Sequence, residues 1–169
     1  IKNEVDAIYQ SGNQYIAVAH PLSPNPLFLN NAEGLLLFNH DSYQFILKED
    51  LDFQPLASND PSRELSIVNK VNKSISSSEN FDVLNSAVSS RGSLMTAALL
   101  IGLAQKMLDL SSAYAVDRTQ FGKPIGSFQA VKHMLADVAV AIEFAKPAIY
   151  RAAYSLSDQN PKSVLHCSH

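Results

Sequence analysis

The sequence predicts an α+β fold: a partial antiparallel β-barrel or sandwich followed by an antiparallel bundle of long helices. Three observations carry that expectation. Up to about Ser78 the apolar residues come in short runs broken by turn formers. Beyond it they recur at three- and four-residue steps, the helical period. The chain has 169 residues, 46% hydrophobic and 17% charged, enough apolar material to bury a core and too much for a disordered or collagen-like chain. The polar stretch Ser74-Ile75-Ser76-Ser77-Ser78 reads as a linker, placing a β-rich domain at residues 1–78 and a helical domain at 79–169.

In chain order, Ala7-Ile8-Tyr9 and Tyr15-Ile16-Ala17-Val18-Ala19 flank Ser11-Gly12-Asn13, the pattern of a hairpin with a short glycine-containing loop. Pro21, Pro24 and Pro26 forbid regular structure for several residues, because each lacks an N–H donor. Leu35-Leu36-Leu37-Phe38 and Tyr43-Gln44-Phe45-Ile46-Leu47 read as strands joined by a turn at Asn39-His40-Asp41-Ser42. Further short strands are expected at Leu51-Asp52-Phe53 and Leu65-Ser66-Ile67-Val68, around a turn at Asp60-Pro61-Ser62. These are too few to close a barrel, so the sheet is expected to be incomplete at its N-terminal side or to borrow strands.

A first helix is expected from Ser93 to Val116. One face carries Leu94, Ala97, Ala98, Ile101, Ala104, Leu108 and Tyr114, while Leu99, Leu100, Leu103, Met107 and Leu110 cover much of the rest. A helix apolar nearly all round is expected to be buried on several sides. Gly122, Pro124 and Gly126 then break the pattern. Ser127 is the expected N-cap of a second helix, on which Phe128, Val131, Leu135, Val138, Ile142, Ala145 and Ile149 recur to about Leu156. Pro147 lies inside it and is expected to kink it. Pro161 suits the first turn of a third helix. Two helices joined by one short loop pair antiparallel and need at least one more to cover them, so this half too is expected to be cut short.

Thirteen basic against 16 acidic residues give a net charge of -3, which excludes any long-range pull toward nucleic acid or anionic lipid. No run of about 18 unbroken apolar residues is present, so no membrane-spanning helix is expected. Ile1-Lys2-Asn3-Glu4-Val5 lacks secretory-signal features and the single Cys167 excludes an internal disulfide; a cytoplasmic protein is the expectation.

Most candidate chemistry dissolves on inspection. His166-Cys167-Ser168-His169 reads as a polar helix end rather than a metal clip, and no metal site is expected. Asp137 and Glu143 sit about 120° apart in helical phase, so they form no carboxylate pair. His133 is expected to pack at the edge of the helix pair without a catalytic part.

The stretch from Tyr114 to Val131 is different. Arg118 ends one helix with a planar fork of donors suited to a phosphate. Gly122 and Pro124 make a tight turn from which Phe121 can offer a ring face to a flat ligand. Gln129 brings an amide to the first turn of the next helix, where free N–H groups favour an anion. A planar, phosphate-bearing cofactor is what such a loop could hold; a plain helical turn is the alternative.

Gly102-Leu103-Ala104-Gln105, then Tyr-Ala-x-x-Arg-x-Gln-Phe-Gly-x-Pro-Ile from Tyr114, then Phe-Gln-Ala-Val-x-His-x-Leu-Ala-Asp from Phe128, resembles the signature of the acyl-CoA dehydrogenase family. The β-rich part resembles that family's middle domain only loosely, chiefly at Asp60-Pro61-Ser62-Arg63. The resemblance implies an N-terminal helical domain, a middle β-barrel and a C-terminal four-helix bundle, assembled as homo- or hetero-oligomers, usually tetramers. It implies FAD between β-domain and bundle, with Arg118 at the pyrophosphate across a dimer and Gln120, Phe121, Phe128 and Gln129 along the same contact. The implied reaction is α,β-desaturation of an acyl-CoA thioester, with electrons passed to an electron-transfer flavoprotein. Arg91 falls near a position that meets the substrate thioester in many members. The resemblance places the catalytic base on a loop late in the bundle, past His169, or near the start of the first long helix, where Ser86 to Ser93 holds no carboxylate, so none is assigned. The missing carboxylate leaves open a non-catalytic subunit that completes the FAD site of another.

Overall fold

The computed structural model describes residue 12, residues 14–158 and residues 166–167. The chain divides into two compact units between Asn85 and Ser86.

Among the described residues the first unit holds six strands: β1 (Ile16–Ala19), β2 (Gly34–Phe38), β3 (Tyr43–Leu47), β4 (Leu51–Pro55), β5 (Ser66–Val71) and β6 (Ile75–Ser77). One sheet runs β1-β2-β3-β6, and β4 pairs with β5 in a second. Among the described residues no barrel closes. The expected β2–β3 hairpin is present, with Asn39 N–H donating to the Ser42 carbonyl at 2.8 Å. Asp60 caps its turn by accepting from Ser62 N–H at 3.1 Å.

Two expectations need correction here. β1 pairs with β2 in parallel, not antiparallel. Its expected hairpin partner, Ala7-Ile8-Tyr9, lies outside the described residues. The Ser74–Ser78 stretch is no linker: β6 pairs antiparallel with β3, Ile75 opposite Phe45. A polar strand can form wherever a neighbour offers its ladder, so pairing overrides composition.

Ala17, Ala19, Leu29, Ala32, Leu35, Ile46 and Leu51 form the buried core, with Leu37, Phe53, Val68 and Val71 packed against it. Both sheets therefore feed one core, as in a sandwich. Within the first sheet Gly34 lets β2 lie close against β3: a β-carbon there would meet the Ile46 carbonyl oxygen at 2.6 Å and the Phe45 ring at 3.0 Å.

Among the described residues the second unit is built on two long helices. Helix α1 spans Phe81–Asp117, so it begins well before the expected Ser93, and α2 spans Gln129–Ser157. At 1.5 Å per residue α1 is roughly 55 Å long. Of the expected apolar face Leu94, Ala97, Ile101, Ala104 and Leu108 are half-buried while Ala98 is exposed, and the helix's buried residues are Ser90 and Ala115. Tyr114, assigned to that face from the sequence, instead joins the exposed stripe of Met95, Leu99, Leu103, Met107 and Leu110. Those six are 50–71% exposed, so the expectation of a helix buried on several sides fails among the described residues. Lys146 of α2 donates to Gln105 Oε1 of α1 at 3.1 Å and pairs with Glu143, a polar tie within an apolar helix pair.

A further correction concerns length and hydropathy. By those measures α1 could cross a bilayer, with a window of mean hydropathy 1.4, although it contains no unbroken run of about 18 apolar residues. Pro147 does lie inside α2. The expected third helix falls largely outside the described residues, of which His166 and Cys167 are helical. Ser155 Oγ, buried, lies 2.6 Å from His166 Nδ1.

Candidate functional site

The chain between the helices forms a miniature hairpin. Strands β7 (Thr119–Gln120) and β8 (Lys123–Pro124) pair antiparallel around Phe121 and Gly122, whose φ angles are 55° and 78°. Positive φ at both central residues is the signature of a tight two-residue turn matching strand twist. Glycine adopts it freely; phenylalanine does so at a local cost of roughly 1–2 kcal/mol. Arg118 N–H donates to the Tyr114 carbonyl at 2.9 Å, and Ile125 N–H donates to the Arg118 carbonyl at 2.8 Å. The backbone of Arg118 thus closes both the end of α1 and the base of the hairpin.

Ser127 is not the N-cap of α2. It sits in a 3-10 turn over Ile125–Ser127, its hydroxyl donating to the Pro124 carbonyl at 2.7 Å, and Phe128 occupies the cap position without a side-chain bond. The serine was captured by the turn that precedes the helix, a local competition short polar side chains commonly enter.

The side chains of this loop point outward. Arg118 is exposed, and among the described residues its guanidinium has no hydrogen-bond or ion-pair partner. Phe121 is 91% exposed and meets the Phe128 ring edge-on, centroids 6.1 Å apart. Lys123, which the sequence reading overlooked, places its ammonium 4.5 Å from the Phe128 ring centroid. Gln120 folds its amide back to the Thr119 carbonyl at 2.9 Å. Gln129 Nε2 lies 2.6 Å from His133 Nε2; His133, expected to pack at the edge of the helix pair, is instead exposed and beside a candidate ligand group. The four-residue spacing on a helix was the signal that could have revealed this pair.

The structure therefore gathers Arg118, Gln120, Phe121, Phe128 and Gln129 on and beside one hairpin. Arg91 is elsewhere: it is exposed on α1, about 40 Å along the helix axis from Arg118. Asp137 and Glu143 are both exposed on α2 and pair with nothing in common; Glu143 binds Lys146. Among the described residues no cluster of metal-ligating side chains occurs.

The donor set suits an extended, anionic, partly flat ligand. An uncommitted guanidinium can clamp a phosphate, and an exposed aromatic ring held at fixed angle can receive a flat surface. Nothing in the loop is acidic after Asp117 until Asp137.

Residues 81–167 match the acyl-CoA dehydrogenase C-terminal domain. The chain belongs to the acyl-CoA dehydrogenase family. It is 49% identical over 69 residues to the probable acyl-CoA dehydrogenase YngJ of Bacillus subtilis, a match covering 41% of this chain and 18% of that protein. It is 44% identical over 77 residues to the Caffeyl-CoA reductase-Etf complex subunit CarC of Acetobacterium woodii, covering 46% of this chain and 20% of that one. Among solved structures, butyryl-CoA dehydrogenase from Megasphaera elsdenii superposes with a TM-score of 0.68 at 18% identity, over 93% of this chain and 48% of that one. PigA with FAD and proline superposes with a TM-score of 0.66 at 22% identity, over 96% of this chain and 49% of that one. This acyl-CoA dehydrogenase family chain thus spans about half the length of the structures it resembles. At those identities the likeness establishes a shared fold, with strands followed by long helices.

Proposed function

We propose that this chain is part of an FAD-dependent dehydrogenase that desaturates an acyl-CoA thioester between its α and β carbons. The observation that carries the reading is the hairpin between α1 and α2, which presents a guanidinium unpaired among the described residues and an almost fully exposed phenylalanine. Exposed apolar and cationic groups held at fixed backbone angles suit a ligand better than solvent.

In this reading Arg118 binds the cofactor's pyrophosphate by a charge-assisted fork. Phe121 and Phe128 supply ring surface, while Gln120 and Gln129 supply amide groups that fix its orientation. FAD, when bound, supplies the hydride acceptor. The residues named hold and orient it; no base is assigned among them. Arg91, distant from the hairpin on α1, is proposed to meet the substrate at another part of the assembly. Residues 1–78 correspond to part of the family's middle β-domain and 79–169 to part of its helical bundle, with subunits, identical or not, completing the site. Electron-transfer flavoprotein is the proposed electron acceptor, a reading favoured by the name of CarC's complex.

The test is anaerobic titration of the natural full-length protein, reconstituted with FAD, against acyl-CoA thioesters of increasing chain length. Bleaching of the visible flavin band with formation of the enoyl thioester is expected. A protein that retains no FAD, or a flavin that no acyl thioester bleaches, overturns the proposal.

A further inference from the structure

Gln129 and His133 occupy successive turns on the exposed side of the first part of α2, Gln129 being its first residue. Their Nε2 atoms lie 2.6 Å apart. An amide nitrogen carries two hydrogens and no acceptor, so in this contact it must donate. The imidazole must then accept at Nε2, which requires the ring proton to sit on Nδ1. With one amide hydrogen committed to the ring, the carbonyl oxygen of Gln129 turns away from His133.

An unrestrained glutamine at a helix start can present either its carbonyl or its NH2 to a ligand. The imidazole removes that freedom. We propose that His133 is a positioning residue that locks the Gln129 amide with its carbonyl oxygen presented to the cofactor, as a ready acceptor for a ligand N–H or hydroxyl. This rests on the reading of the hairpin as a flavin site. The neighbouring Lys123 is committed to the Phe128 ring and Gln120 to its own strand, so neither competes for the Gln129 amide.

The proposal predicts a specific pattern of FAD affinities in reconstituted full-length protein. His133→Ala frees the amide and weakens FAD binding by about threefold to tenfold, as expected for one oriented hydrogen bond. His133→Gln restores an acceptor near the position of Nε2 and recovers most of that loss. His133→Lys offers only donors, draws the amide oxygen to itself and is at least as damaging as alanine. In a Gln129→Ala background His133→Ala has no further effect, because its influence passes entirely through that amide. Selective 15N labelling of histidine gives an independent readout: the Nδ1-protonated tautomer is expected for His133 in the wild type and lost in Gln129→Ala. Equal losses from His133→Ala with and without Gln129, failure of glutamine to rescue, or an Nε2-protonated ring would each overturn the assignment. Arg118→Ala separates the two levels of argument. If it weakens FAD while His133→Ala does not, only the positioning role fails; if neither Arg118→Ala nor Gln129→Ala matters, the flavin site and the positioning role fall together.

Discussion

A β-carbon placed on Gly126 would lie 3.0 Å from the carbonyl oxygen of Ala115 and 3.4 Å from its side chain. Ala115 is buried at the last turn of α1, so this glycine is where the loop seats on the helix end. The obstacle is backbone and cannot swing aside. Gly126→Ala should push the loop off that seat, costing about 1–3 kcal/mol in urea unfolding and lowering FAD affinity as well. Gly122→Ala is the control of opposite kind. No atom stands within 4 Å of its β-carbon position, but its φ of +78° strains any other residue. It should cost about 1 kcal/mol through the backbone alone. Equal effects of the two variants on FAD would show that the seat is not what orients the loop.

Arg118 separates binding from stability. Its guanidinium is exposed and unpaired among the described residues, so Arg118→Ala should change the unfolding free energy by less than about 0.5 kcal/mol. A charge-assisted contact worth about 1.5–3 kcal/mol translates to a roughly ten- to hundredfold weaker FAD complex. Arg118→Lys should recover only part, because an ammonium keeps the charge and loses the planar fork. Equilibrium dialysis of reconstituted protein checks both, and unchanged affinity in Arg118→Ala defeats the assignment.

How far the sequence reached depends on which forces shape each part. The β2–β3 hairpin was legible because Asn39-His40-Asp41-Ser42 separates two apolar runs, and α2 because its apolar positions keep a strict helical step. The parallel β1–β2 pairing was not, since Ile16–Ala19 carries no local mark of the direction of its neighbour. β6 was hidden in a serine-rich stretch whose strand character comes from β3 beside it. Residues 81–92 of α1 were missed although Phe81, Leu84, Ala87 and Val88 already keep helical steps, because Asn85, Ser86, Ser89, Ser90 and Gly92 among them are poor helix formers. In the loop, residue types told which groups could bind, while only coordinates reveal that Ser127 serves the turn, that Lys123 lies over Phe128 and that His133 engages Gln129.

Phe121 offers a test by substitution with a smaller residue that the backbone prefers. Its φ of 55° is unfavourable for phenylalanine and open to glycine. Phe121→Gly relieves roughly 1 kcal/mol of strain but forfeits the edge-on contact with Phe128 and adds freedom to the unfolded chain. These terms nearly cancel, so stability should move by less than about 1 kcal/mol. FAD affinity should nevertheless drop several-fold, and oligomers should persist in sedimentation. Loss of oligomers would make Phe121 an interface residue instead.

Tyr15 gives the first unit a pH dependence with a definite sign. Its hydroxyl donates to the Phe28 carbonyl at 2.7 Å, an interaction only the protonated phenol can make. Partial desolvation first, and then the Glu64 carboxylate, raise its pKa above the ordinary value of 10.0, although the residue is 41% exposed. A group whose pKa is raised by folding contributes stability that is fully present below its unfolded value and disappears as pH climbs through the folded one. Wild type should therefore lose stability above about pH 10 for this reason, beyond what other tyrosines contribute. Tyr15→Phe should be less stable by at most about 0.5 kcal/mol near neutrality, because the lost hydrogen bond is exposed and water replaces part of it. The gap between the two proteins should then narrow as pH rises past the tyrosine range, because ionisation removes from wild type what the substitution has already removed. Urea unfolding of both proteins at about pH 8 and about pH 11 decides it: a gap that stays constant would mean that the phenol ionises no less readily in the folded chain than in the unfolded one.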